Sequence, residues 1–100
     1  MPAALRIEPL PERDQGYRLV GEVDLSNAAQ LQRFAEPGPD LYLDLSGVSF
    51  MDSTGLRSLI QVCQARPDHA VVVLNPSAPI KRLFEVTGVD RVDNLRIETG

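Results

Sequence analysis

Cysteine and histidine occur once each, as Cys63 and His69, and tryptophan is absent. One thiol and one imidazole cannot build a zinc cluster, an internal disulfide or a Cys-X-X-Cys redox pair, so those classes of protein are excluded. No metal and no cofactor are expected. Long apolar runs are also lacking. The longest, "AVVVL" from Ala70 to Leu74, is far too short to cross a bilayer. The opening "MPAALRIEPL" has no basic segment leading into an apolar signal core, so the expectation is a cytoplasmic protein. Positive charge is in deficit as well. Ten Lys and Arg against fourteen Asp and Glu leave a formal charge of -4, which gives no general attraction to phosphate backbones or anionic membranes. Neither nucleic acid nor a membrane is expected as a partner.

What is present matches an ordinary folded domain. Apolar residues make up 43% and charged residues 24%, which argues against disorder. One hundred residues suffice for a single domain with a modest core, expected over 1–100 with its folded part from about 5 to 98.

Periodicity orders the chain. "ALRIEPL" and "GYRLVGEVDL" read as strands, the second placing Tyr17, Leu19, Val23 and Leu25 on one apolar face. "PERDQG" between them has the residues of a hairpin turn. "SNAAQLQRFA" reads as a short helix capped by Ser26 or Asn27, with Ala28, Leu31 and Ala35 facing inward, and "EPGPD" ends it. "LYLDLSG" alternates again through Leu41, Leu43 and Leu45. Asp44 on its polar side is expected to be solvated or paired. "AVVVLN" is continuous in the manner of a covered central strand. From Leu56 the apolar residues Leu56, Leu59, Ile60 and Cys63 fall at i, i+3, i+4 and i+7, and Pro67 closes that helix. "SAPIKRLFEVTG" repeats the pattern with Ile80, Leu83 and Phe84, a Ser77 cap and Gly88 as a left-handed stop, and "DNLRIET" gives a weak edge strand. The order β-β-α-β-α-β-α-β implies a small α/β domain. Its sheet should be mixed and mainly parallel, with four to five strands and helices packed mainly on one face.

The stretch "MDSTGL" raises the functional question. Asp52 can cap the following helix through its carboxylate, leaving Ser53 at the first helical position with its hydroxyl in water. The unpaired amides of a helix start favour added negative charge. Gly55 removes side-chain bulk from the first turn, so another protein could approach closely. Arg57, Ser58 and Gln61 are expected on the exposed side of the helix as partner contacts. "VDLSNAAQ", with Asp24, enters the same end of the sheet. From these residues alone the Ser53 hydroxyl is open to three readings: a cap, a nucleophile or a phosphate acceptor. Thr54 reads as its neighbour at the site, and Cys63 as a buried small hydrophobe.

Taken together, "GEVDL", "LYLDLSGVSFMDSTGL" and "IKRLFEVTGVD" make the chain resemble a STAS domain, the fold of anti-sigma factor antagonists. The resemblance runs from about Leu5 to Glu98. It implies that Ser53 is phosphorylated and that the surface around Asp24, Asp52, Ser53, Thr54, Gly55, Arg57, Ser58 and Gln61 binds a partner. It further implies partner switching. The unmodified protein would bind an anti-sigma factor of the GHKL-type ATPase fold and release a sigma factor. That partner, as a serine kinase, would end the complex, and a PP2C-type phosphatase would reset it. Two alternatives stand beside this. Some STAS proteins regulate a transporter ATPase or join stress-signalling complexes. A small serine hydrolase would need Ser53 as nucleophile and His69 as its base, although "MDSTG" is not a nucleophile elbow.

Overall fold

The computed structural model describes residues 4–99; the expected domain's outermost positions, 1–3 and 100, lie outside the described residues. Five strands form one sheet in the order β1-β2-β3-β4-β5. They are β1 (Arg6–Pro9), β2 (Gly16–Val23), β3 (Leu41–Met51), β4 (Val71–Leu74) and β5 (Leu95–Glu98). β1 and β2 pair antiparallel across the expected hairpin, where Leu10 N–H donates to Gly16 C=O. The remaining pairs are parallel, so the sheet is mixed and mainly parallel, as the alternation of strands and helices requires.

The connections are a 3₁₀ segment (Ala28–Phe34), α1 (Ser53–Gln64), α2 (Ala78–Thr87) and a short 3₁₀ turn (Val89–Arg91). Leu41, Leu43 and Leu45 of β3, Val71 and Val73 of β4, Leu31 and Phe34 of the 3₁₀ segment, Leu59 and Val62 of α1, and Phe84 of α2 close into one core. Cys63 belongs to that core, and burial pushes its thiol up to about 11. Gly88 ends α2 at φ 80°, the left-handed stop expected from the sequence.

Several local expectations change. The first helix is 3₁₀, and neither candidate caps it through a side chain. Asn27 instead accepts from Asp24 N–H and donates to Glu22 C=O, while Ser26 Oγ–H donates to Asp24. Leu25 does not extend the apolar face of the second strand. Two register shifts, between Arg18 and Val20 and between Gly21 and Glu22, break the period-two pattern, β2 stops at Val23, and Leu25 is 79% exposed. Ser77 precedes α2 without a side-chain cap bond. Asp44, by contrast, takes one of its two expected states, paired with Arg18 at 3.4 Å, although it is buried.

Candidate functional site

The site is built on the strand-to-helix turn where β3 ends. Asp52 N–H donates to Val23 C=O at 3.1 Å, which locks the end of β3 to the end of β2. In extended conformation Asp52 then serves as the N-cap of α1. Its Oδ1 accepts from Thr54 N–H at 2.9 Å and from Gly55 N–H at 3.0 Å. Its Oδ2 accepts from Leu25 N–H at 3.2 Å, so one carboxylate holds both the helix start and the loop leaving β2. Carboxylates in such positions satisfy amides that the helix itself cannot.

Ser53 is the first residue of α1 and is exposed, so the cap is supplied by Asp52 and the Ser53 hydroxyl faces solvent. Thr54 is half-buried. Asp24 stands in the adjoining loop. Its Oδ1 accepts from Ser26 N–H at 2.9 Å, and its C=O accepts from the N–H groups of Asn27 and Ala28. The loop beside Ser53 is therefore fixed by hydrogen bonds on both sides of Leu25.

Two of the expected partner contacts are corrected. Gly55 is buried, and its missing side chain serves internal packing: a Cβ there would lie 2.8 Å from Met51 Cγ, 2.9 Å from Val23 Cγ1 and 3.0 Å from Val23 O. Glycine lets the first turn of α1 sit directly on the strand ends. Ser58, expected on the exposed side, is only 6% exposed. It lies one turn after Gly55 and one turn before Val62, and all three fall on the buried stripe of the helix. The apolar pattern marks that stripe by Leu56, Leu59 and Cys63, and its full width is set by how closely α1 approaches the sheet.

Arg57 and Gln61 are exposed. Gln61 Oε1 accepts from Gln32 Nε2–H at 2.7 Å, tying α1 to the 3₁₀ segment. Neither Gln32 nor Leu25 was among the expected site residues. No local signal marks them, because their places follow from contacts across more than 25 positions of sequence. His69 lies beyond the far end of α1, next to Asp40 with Nδ1 and Oδ1 3.3 Å apart. The twelve residues of α1 separate the helix start from that end by about 16 Å. His69 cannot act as a base toward Ser53, and the hydrolase reading fails on that geometry.

The family description "Mlab, STAS domain" matches residues 10–97. The chain belongs to the STAS domain family. A Staphylococcus aureus anti-sigma-B factor antagonist is similar to this STAS domain at 36% identity over 76 residues, which span 69% of this chain and 70% of that protein. The crystal structure of an anti-sigma factor antagonist from Mycobacterium paratuberculosis is similar at a TM-score of 0.64 and 27% identity, covering 94% of this chain and 85% of the other. The anti-sigma factor antagonist SpoIIAA in its unphosphorylated form shares the fold at a TM-score of 0.62. It is 19% identical, with 89% of this chain and 97% of that chain covered. By sequence and by fold this STAS domain groups with the anti-sigma factor antagonists. Among the described residues no helix is long and apolar enough to cross a membrane, and no group of three or more His, Cys, Asp or Glu is arranged to hold a metal.

Proposed function

We propose that this STAS domain is a cytoplasmic partner-switching regulator without enzymatic activity of its own. Unmodified, it binds an anti-sigma factor of the GHKL-type serine kinase fold and frees a sigma factor. Phosphorylation of Ser53 ends that complex, and a PP2C-type phosphatase restores it. The observation that supports this reading most is the division of labour at the start of α1. Asp52 makes all the capping bonds, and the neighbouring Ser53 hydroxyl is left exposed.

The chemistry needs only an accessible alcohol. Ser53 Oγ attacks the γ-phosphorus of ATP, the bond to the β–γ bridging oxygen breaks, ADP leaves, and the hydroxyl proton passes to a base on the kinase. Hydrolysis by the phosphatase returns the serine and inorganic phosphate. The phosphoserine carries about -1.5 to -2 charges at neutral pH. Asp52 already occupies the amides of Thr54 and Gly55, so the new dianion stands beside a carboxylate at a helix start whose nearest donors are taken. The charge is directed outward, to where a partner must desolvate it. Roughly 3 kcal/mol of repulsion and desolvation at the interface gives a hundredfold loss of affinity.

Intact-mass spectrometry of the protein with ATP and a candidate GHKL-type anti-sigma kinase tests the reading. One added phosphoryl group, mapped to Ser53 and absent in Ser53→Ala, is the expected result. Equal affinity of the modified and unmodified forms for that kinase overturns the switch. Recovery of an ABC-type ATPase as the specific partner, with no binding to the kinase, replaces the reading with transporter regulation.

A further inference from the structure

At the opposite end of α1 from Ser53, a buried cation has no counter-ion among the described residues. Arg66 is 3% exposed. Its Nε–H donates to Phe34 C=O at 3.2 Å and its Nη1 donates to Pro39 C=O at 2.6 Å. Both acceptors are neutral carbonyls, and no carboxylate among the described residues forms an ion pair with it. A guanidinium has five N–H donors in a rigid fork. Two are used; Nη2 takes part in neither bond and, since no buried side-chain nitrogen among the described residues lacks a partner, it keeps access to solvent. Buried charges are ordinarily paired, and this one is held by neutral carbonyls alone.

Arg66 also lines a cavity of about 250 Å³, together with Pro37, Gly38, Ala65, Pro67, Asp68 and His69. Two prolines and an alanine supply apolar walls. Gly38 lies against the guanidinium: a Cβ there would lie 2.8 Å from Nη1 and 3.5 Å from Nη2 of Arg66, so a side chain would displace the group. The chain thus passes close over the guanidinium at Gly38. A carboxylate suits the guanidinium N–H groups that the two carbonyl bonds leave unused. Asp68 on the rim opposes a dianion, so a single negative charge on a small apolar body is the best match.

We propose that this cavity is a binding site for a monocarboxylate, with the Arg66 guanidinium as its anchor and Pro37, Ala65 and Pro67 as its apolar wall. The carboxylate can come from a free short-chain acid or from the C-terminus of a polypeptide. The site is separate from the Ser53 surface and does not depend on the proposed phosphorylation.

The test is NMR titration of the full chain with propionate, with N-acetylalanine as the polypeptide-like carboxylate and with propionamide as the uncharged control, at ionic strength held constant by sodium chloride. Saturable shifts of the Arg66 Nε–H signal and of the Gly38 and Ala65 amides are expected with either carboxylate, at millimolar affinity, and none with propionamide. Tighter binding of N-acetylalanine assigns the site to polypeptide termini, and tighter binding of propionate assigns it to free acids. Since Arg66→Met removes structural bonds and can unfold the chain, Ala65→Leu is the decisive variant. It fills the cavity while leaving both Arg66 carbonyl bonds in place, and carboxylate binding should fall at least tenfold. Shifts that do not saturate, that equal those with sodium chloride, or that persist unchanged in Ala65→Leu overturn the proposal.

Discussion

Asp52 accepts from three backbone amides on two segments, so its removal has a larger structural effect than removal of the serine beside it. Asp52→Ala should lower stability by about 1–3 kcal/mol, combining the loss of a helix cap with the loss of the Leu25 bond. Ser53→Ala should stay within about 0.5 kcal/mol of the parent, as exposed substitutions do, and should resist phosphorylation. Urea denaturation of the two variants separates the roles. A collapse of Ser53→Ala would return the hydroxyl to a capping duty. Gly55→Ala is the third informative change. The added methyl meets Met51 and Val23 closer than packing allows, so a loss of about 1–3 kcal/mol is expected, and a neutral result would mean that the start of α1 can lift from the strands.

At the scale of the element, α1 shows how far a repeat in sequence can be read. The spacing of Leu56, Leu59 and Cys63 locates the helix and its inner face, and all three are buried. Ile60 fits the same spacing but lies at the border of the face and is only half-buried, whereas Val62 and Ser58 are buried outside the expected stripe. Leu59→Ala should therefore cost about 2–5 kcal/mol through the cavity it leaves, and Ile60→Ala clearly less, as measured by thermal or urea unfolding. Equal losses would place Ile60 in the core. Cys63 provides a check without mutation. A thiol raised to about 11 by burial is almost wholly protonated at mildly alkaline pH, so iodoacetamide should label it only as fast as the chain opens. Rapid labelling under native conditions would show that the inner face of α1 is accessible. At its other end α1 is closed by Asn94, whose Nδ2 donates to the carbonyls of Cys63, Arg66 and His69.

Among the described residues of the whole molecule, the ion pairs lie away from the Ser53 surface. Asp44 experiences opposing effects: burial pushes its carboxyl up, but the amide and hydroxyl of Ser46 and the Arg18 guanidinium outweigh this and hold it below the ordinary 3.8. At Asp40 the amide of Ala70 is the chief cause of lowering, followed by His69. A carboxylate whose pKa is lower in the folded state contributes stability above its unfolded value and loses it as pH falls through the folded one. Stability should thus be level near neutrality and decline once pH drops below 3.8. Asp44→Asn should flatten that decline while lowering stability at neutral pH. An unchanged acid profile in denaturation at several pH values would show that the Arg18–Asp44 tie contributes nothing.

The amino-acid order alone determined the features that depend on near neighbours. Leu41, Leu43 and Leu45 alternate and are all buried, Asp52 precedes a helix and caps it, Gly88 ends one in the left-handed region, and Ser53 follows the cap and is exposed. Turn chemistry and periodicity act over a few residues, so such positions can be read along the chain. Only the tertiary structure decided that Ser58 and Gly55 face inward, that Leu25 stands in solvent, that the second oxygen of Asp52 holds the loop after β2, and that Arg66 is enclosed with part of its fork unused. Each of these depends on the approach of segments far apart in sequence. The distance between α1 and the strand ends, and the closure of the 34–39 loop over Arg66, are set by the packing of the whole core and have no counterpart in any local pattern.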